Sequence, residues 1–171
     1  MSRFAIRAAA PDDAEGIASS HAMSWATSYR GILPDRLLDR IDVGQRAQTR
    51  RRMLADPALL TLVAYDVTHG DIVGFCDAGP CRERMRLGTG EIYAFYLEHH
   101  AKRHGLGTEM FEQTCVWLRG RGLTSLVIWV LENNPHACRF YEAMGGELGG
   151  RMSSAVGGFP VVEIAYLWRA I

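Results

Sequence analysis

Six residues, Lys102-Arg103-His104-Gly105-Leu106-Gly107, combine three positive or titratable side chains with two glycines in one turn. Ahead of the turn runs Glu91-Ile92-Tyr93-Ala94-Phe95-Tyr96-Leu97, which reads as a buried strand. Behind it, Leu106, Met110, Phe111, Cys115 and Leu118 recur at helical spacing. A strand, a glycine turn and a helix start hold phosphate well, because the first N–H groups of a helix have no partner inside it and its dipole favours negative charge there. Glycines at 105 and 107 let a diphosphate approach the backbone closely.

Several kinds of phosphate turn could produce this pattern. The P-loop string G-x-x-x-x-G-K-[ST] does not occur in the chain. The dinucleotide fingerprint G-x-G-x-x-G fails because position 110 is Met. The turn instead resembles Q/R-x-x-G-x-G/A, the acyl-CoA turn of the GNAT superfamily of N-acetyltransferases, with Lys102 in place of the usual Gln or Arg. Lys keeps the charge and loses the planar fork. A second signature supports the resemblance. Asn134, Ala137, Phe140, Tyr141, Glu142 and Gly145 match N-x-x-A-x-x-F-Y-E-x-x-G in register, after the apolar strand Ser125–Leu131. Gly146 stands where the family prefers Phe. Residues 6–14 resemble the family's first strand and helix start, so the likeness spans most of the chain.

The resemblance implies an acetyl-CoA-dependent N-acetyltransferase that moves the acetyl group to a primary amine by direct attack in a ternary complex. Acyl transfer sets its own demands on a site: a neutral amine, a donor placed for the developing oxyanion, a proton for the departing thiolate and a firm anchor for the nucleotide. The resemblance puts backbone N–H groups from Arg103 through His104, Gly105, Leu106 and Gly107 to Thr108 on the diphosphate. Lys102 flanks them. It puts the oxyanion donor on the backbone of Phe95, Tyr96 or Leu97, where the family's fourth and fifth strands splay apart. It makes Tyr141 the general acid, since a phenol of pKa about 10 can protonate a thiolate whose conjugate acid lies at about 8.5. Asn134 would bond the pantetheine arm, cap the following helix, or do both. Glu91 is the candidate base, read on the same alternating face as Tyr93 and Phe95. Its alternatives are a carboxylate satisfied by its neighbours, with a water chain taking the proton. His21, Trp25 and Tyr29, on one helix face, line the acceptor pocket or belong to the core.

The elements that must position these groups follow from pattern. Strands are predicted at 3–8, 60–65, 72–78, 89–97, 125–131, 147–152 and 161–168. Helical segments are predicted from Pro11 to Gly31, from Pro34 toward Ile41, over 44–55, from Leu106, and over 135–144. Thr68–Asp71 is a hairpin turn, Gly79-Pro80 stops a strand, and 81–88 is a polar loop. The expected architecture is α/β: a single domain over 1–171 with a mixed, mostly antiparallel sheet flanked by helices.

The chain has 171 residues, 48% hydrophobic and 22% charged, and zero formal net charge. That composition fits a soluble globular protein and argues against nucleic acid as a main partner, which would demand surplus Lys and Arg. Arg46, Arg50, Arg51 and Arg52 read as a solvated helix face. No run of 18 apolar residues exists, so no membrane span is expected. The cysteines, at 76, 81, 115 and 138, form no C-x-x-C, and a reducing, cytoplasmic setting is expected. No metal is expected, because the spacing of His99, His100, His104 and Cys115 fits no zinc pattern. The acceptor could be an amino acid, a polyamine, an antibiotic or a protein N-terminus. A homodimer through the late strands is what the family suggests. The rivals are a non-catalytic acyl-CoA-binding module on the same fold and a regulator that binds NAD or ATP at the glycine turn.

Overall fold

The computed structural model describes residues 2–83 and 87–171. Seven strands, β1 (Phe4–Ala8), β2 (Leu60–Asp66), β3 (Ile72–Pro80), β4 (Thr89–Leu97), β5 (Ser125–Leu131), β6 (Glu147–Val156) and β7 (Phe159–Trp168), form one sheet in the order β1-β2-β3-β4-β5-β7-β6. Every neighbouring pair is antiparallel except β4 with β5. The expected mixed, mostly antiparallel α/β sheet is what forms. Among the described residues five α-helices flank it: α1 (Ala14–Ser28), α2 (Asp35–Leu38), α3 (Val43–Leu54), α4 (Leu106–Gly120) and α5 (Pro135–Ala143).

Alternation along the strands assigns the two faces. Leu62, Cys76 and Ile92 pack with Met110, Phe111, Cys115 and Leu118 of α4 and with Tyr141 of α5. Val63 and Phe75, the neighbours of Leu62 and Cys76 in sequence, pack on Ile17 of α1. Pro80 closes β3 opposite Gly90 instead of stopping the strand earlier, a place where its missing N–H costs little. The last two strands run longer than expected. Gly157 and Gly158 both have positive φ, so a two-residue turn suffices and Phe159 and Pro160 join β7. Three of the eight residues of the expected polar loop, 84–86, lie outside the described residues.

The arginine run is a correction. Arg51 and Arg52 are exposed as expected, but Arg46 and Arg50 do not belong to a solvated face. Arg46 and Arg50, one turn apart on α3, point inward. Arg50 is 6% exposed and pairs with the buried carboxylate of Asp77 on β3, which also accepts 2.7 Å from the Thr61 hydroxyl. Arg50 lies over the Phe75 ring at 4.3 Å, and Arg46 over Trp25 at 5.0 Å. Arg51 pairs with Glu15 and ties α3 to α1. The partner that draws Arg50 inward sits 27 residues away on a strand, so charge counting along α3 could not find it.

Candidate active site

At the head of α4 the backbone is held open. Arg103 is the one non-glycine with positive φ (64°) among the described residues, and Gly105 follows at 80°. The first helical bond runs from Glu109 N–H to the Gly105 carbonyl at 3.0 Å. Among the described residues, no hydrogen bond engages the N–H groups of Arg103, His104, Gly105, Leu106, Gly107 or Thr108. These six consecutive donors form a concave, electropositive turn. Lys102, Arg103 and His104 are exposed around it, and His104 sets its edge against Phe4 at 5.1 Å. Gly107 is needed for packing too: a Cβ there would meet the Phe140 ring at 3.2 Å. Phe140 in turn packs edge-on to Phe95 at 5.6 Å, so the turn, α5 and the end of β4 converge on one ring.

Beside this turn the sheet opens. The β4–β5 ladder ends at Ile92 and Ile128, although β4 continues to Leu97 and β5 to Leu131. On its other side β4 keeps its bonds to β3. Tyr96 pairs with Phe75, and Glu98 N–H donates to the Val73 carbonyl at 2.8 Å. Alternation in an antiparallel ladder then turns the N–H groups of Phe95 and Leu97 toward the gap.

A β-bulge corrects the reading of the β4 faces. Asp77 pairs with Ala94 and Ala78 with Ile92, which leaves Tyr93 as an extra residue. Phe95 and Leu97 therefore join Ile92 on the α4 side, while Ala94 and Tyr96 face α1. Glu91 does not share a face with Phe95. Both oxygens of Glu91 are taken by Arg82: the backbone N–H donates to Oε2 at 2.9 Å and the guanidinium to Oε1. Arg82 also lies over the Tyr93 ring at 4.8 Å.

Tyr141 is 6% exposed. Its ring is fixed by Phe140 and Tyr166, with centroids at 5.5 and 5.9 Å. Burial pushes its phenol well above the ordinary tyrosine value, and its hydroxyl bonds no described residue. Asn134 caps α5, its Oδ1 accepting from Ala137 N–H at 3.3 Å. That occupies the carbonyl end of the amide, and the NH₂ end lies toward the Tyr29 hydroxyl.

Across the gap stand residues that sequence reasoning undervalued. The Tyr96 side chain stacks on His21 (centroids 5.0 Å, 28° between planes), and its hydroxyl lies 3.3 Å from that of Tyr29. Burial, then Arg46 and Arg50, hold His21 down to about 3, so it is a neutral ring. Arg46 Nη1 donates to its Nδ1 at 3.2 Å. Asp77 in the otherwise apolar run Ile72–Ala78 was the available signal for the charged layer beneath. Among the described residues, no three His, Cys, Asp or Glu side chains are grouped to hold a metal ion. No described helix is long and apolar enough to cross a membrane.

Comparison with known proteins agrees with this geometry. The model of the Acetyltransferase (GNAT) family matches residues 21–146, and the chain belongs to that family. It is 29% identical over 164 residues to the uncharacterized N-acetyltransferase YuaI of Bacillus subtilis, covering 95% of this chain and 91% of that one. Its fold is also that of PaiA N-acetyltransferase from Thermoplasma acidophilum, solved in complex with coenzyme A (TM-score 0.71, 17% identity, 95% of this chain and 98% of that chain). YncA from Salmonella typhimurium, solved with acetyl-CoA, is similar as well (TM-score 0.72, 19% identity, 98% and 94% of the two chains).

Proposed function

We propose that this protein transfers the acetyl group of acetyl-CoA to a primary amine, directly and within a ternary complex. The observation that carries the reading is the row of six unbonded N–H groups, Arg103 to Thr108, opening onto the gap between β4 and β5. A diphosphate fits the row, and an extended thioester arm fits the gap.

Each residue then has a defined task. The N–H groups of Phe95 and Leu97, aimed into the gap, hold the arm and polarise the thioester carbonyl as negative charge grows on its oxygen. The NH₂ of Asn134, which also neighbours the Tyr29 hydroxyl, donates to the arm's carbonyls. Bond formation between amine nitrogen and carbonyl carbon accompanies loss of the carbon–sulfur bond, and Tyr141 delivers a proton to the sulfur. Cys76, Cys115 and Cys138 are not primed to form an acyl-enzyme, since burial raises each thiol. Cys76 and Cys115 are buried, and burial holds both thiols above the ordinary value, Cys115 at about 11. Cys76, Cys115 and Cys138, none of them in a disulfide, suit a reducing compartment such as the cytoplasm.

Glu91 serves this scheme better as a strut than as the base, because Arg82 already holds both of its oxygens. The amine proton then leaves through water. Glu91→Gln is expected to keep its turnover across the pH range, whereas loss of a general base would cost about a hundredfold or more.

The test of the whole reading is acetyl-CoA binding by calorimetry, followed by thiol release over a library of amines. Thr108→Asp, at an exposed position of the same turn, sets a carboxylate beside the six N–H groups without entering the Phe140 packing. It is expected to weaken acetyl-CoA binding by about a hundredfold, the effect of setting like charges together in a partly buried site. Equal affinity in wild type and variant sinks the proposed anchor. Tight binding without release from any amine would leave a non-catalytic acyl-CoA-binding module.

A further inference from the structure

Beyond Trp25 lies a cleft of about 350 Å³, walled by α1, α2, the first turns of α3 and the β6–β7 turn. The turn is seated firmly: a Cβ on Gly157 would meet Leu37 of α2 at 2.8 Å. The cleft adjoins the aromatic cluster at the splay: Arg46 on its wall bonds the His21 ring, which stacks on Tyr96. Trp25 packs on Tyr29 with centroids 5.3 Å apart, and the Tyr29 hydroxyl meets that of Tyr96 at the splay.

The charge in this cleft is uncompensated. Arg40, Arg46 and Asp42 all line it, two cations against one carboxylate. Asp42 Oδ1 is already engaged, accepting from Gln45 N–H at 2.9 Å as the cap of α3. Arg46 is half-buried, and its contacts are neutral: the His21 ring at 3.2 Å through Nη1 and the Trp25 face. Its charged neighbour Arg50 is itself matched to Asp77. Among the described residues Arg46 has no carboxylate within ion-pair distance, and its Nε and Nη2 make no hydrogen bond. Burial and Arg50 both disfavour its charged form. A half-buried guanidinium with a free two-donor fork, stacked on an aromatic ring, is built to take a planar or tetrahedral oxyanion from two sides.

We infer that this cleft is the acceptor pocket and that Arg46 grips an anionic group of the acceptor, so that the substrate is a small amine carrying a carboxylate or a phosphate. The inference rests on the acetyltransferase reading and deepens it. An amine so held would reach past Trp25 with its nitrogen toward Tyr96 and the thioester. A polyamine would meet like charge at Arg40 and Arg46, and an uncharged alkylamine would leave the fork empty.

The test is thiol release from acetyl-CoA over matched acceptors. These are ω-amino carboxylates of increasing length, aminoalkyl phosphates, uncharged alkylamines of equal length, and spermidine. The wild type is expected to favour the anion-bearing amines in kcat/KM by about ten- to a hundredfold, the range of a charge-assisted hydrogen-bonded contact. The carboxylate and phosphate arms tell which group is meant. Arg46→Gln is expected to bring the ratio of anionic to uncharged acceptors close to one. Arg46→Lys, which keeps the cation and loses the fork, is expected to restore part of it and covers the case in which the Gln variant does not fold. Equal or better use of alkylamines or spermidine by the wild type, or a ratio unmoved in both variants, overturns the inference and leaves the acetyltransferase reading standing. Release from no amine at all overturns both.

Discussion

Tyr141→Phe is expected to lower kcat by about a thousandfold, within the range of a lost general acid, while acetyl-CoA affinity stays near that of the wild type. The substitution is clean because the hydroxyl bonds no described residue, so its removal orphans no donor or acceptor. The ring contacts with Phe140, Tyr166 and Trp168 survive in phenylalanine. Burial keeps the phenol protonated throughout the working pH range. The same burial would at first sight make it too weak an acid for a thiolate. The sulfur, however, departs into the same desolvated gap, where its proton affinity rises with that of the phenol. The transfer therefore remains nearly matched. Single-turnover thiol release separates this step from binding. Near-normal release in the variant would remove Tyr141 from the chemistry and favour proton delivery by water.

Tyr141 stands out through the resemblance of its helix to a family signature, whereas the glycine turn and the Asn134 cap are also legible in local physics, and the layer beneath Tyr96 in neither. The turn at 102–107 and the cap at Asn134 depend on local rules: glycine for positive φ, an amide at the head of a helix, proline behind it. Such signals sit within a few residues of what they control. Strand positions and helix starts were readable for the same reason. The face of Phe95 was not, because it depends on one extra residue at Tyr93, and period-two alternation assumes that no bulge intervenes. Arg46 and Arg50 were misread as solvated because their neighbours are supplied by α1 and β3. The gap in the sheet lies between. The apolar strands on either side were plain, but where their pairing stops, at Ile92 and Ile128, is set by tertiary packing. Local chemistry thus marked the glycine turn and the Asn134 cap, and the layer around Tyr96 emerged only with the fold.

Arg50→Met should destabilise the protein by about 3–5 kcal/mol, since it strips the partner from a carboxylate that is itself buried. Asp77 is 1% exposed and Arg50 6%, so water cannot replace the lost cation without opening the packing between α3 and the sheet. For a chain of this length the loss corresponds to a fall in Tm of roughly 10 °C. The deficit should also carry a pH signature. Burial already pushes the Asp77 carboxyl up, against the pull of Arg50 and the Thr61 hydroxyl. Without Arg50 it rises further above the ordinary aspartate value of 3.8. The folded variant then binds a proton that the unfolded chain has released. Stability falls as pH climbs from the unfolded value toward the raised folded one, with a slope approaching about 1.4 kcal/mol per pH unit. His21, depressed in the fold chiefly by burial, adds a rise of stability with pH up to the ordinary histidine value, but that burial is common to wild type and variant, so most of this contribution cancels in the gap between them. Urea unfolding of wild type and variant at a series of pH values between 4 and 8 therefore gives a small gap at the acid end and a wide one near neutrality. Adding Asp77→Asn removes the titrating group while keeping Oδ1 for Thr61, and should flatten the pH dependence and recover part of the loss. A gap that is constant with pH, or absent, would mean that Asp77 draws its compensation from somewhere other than Arg50.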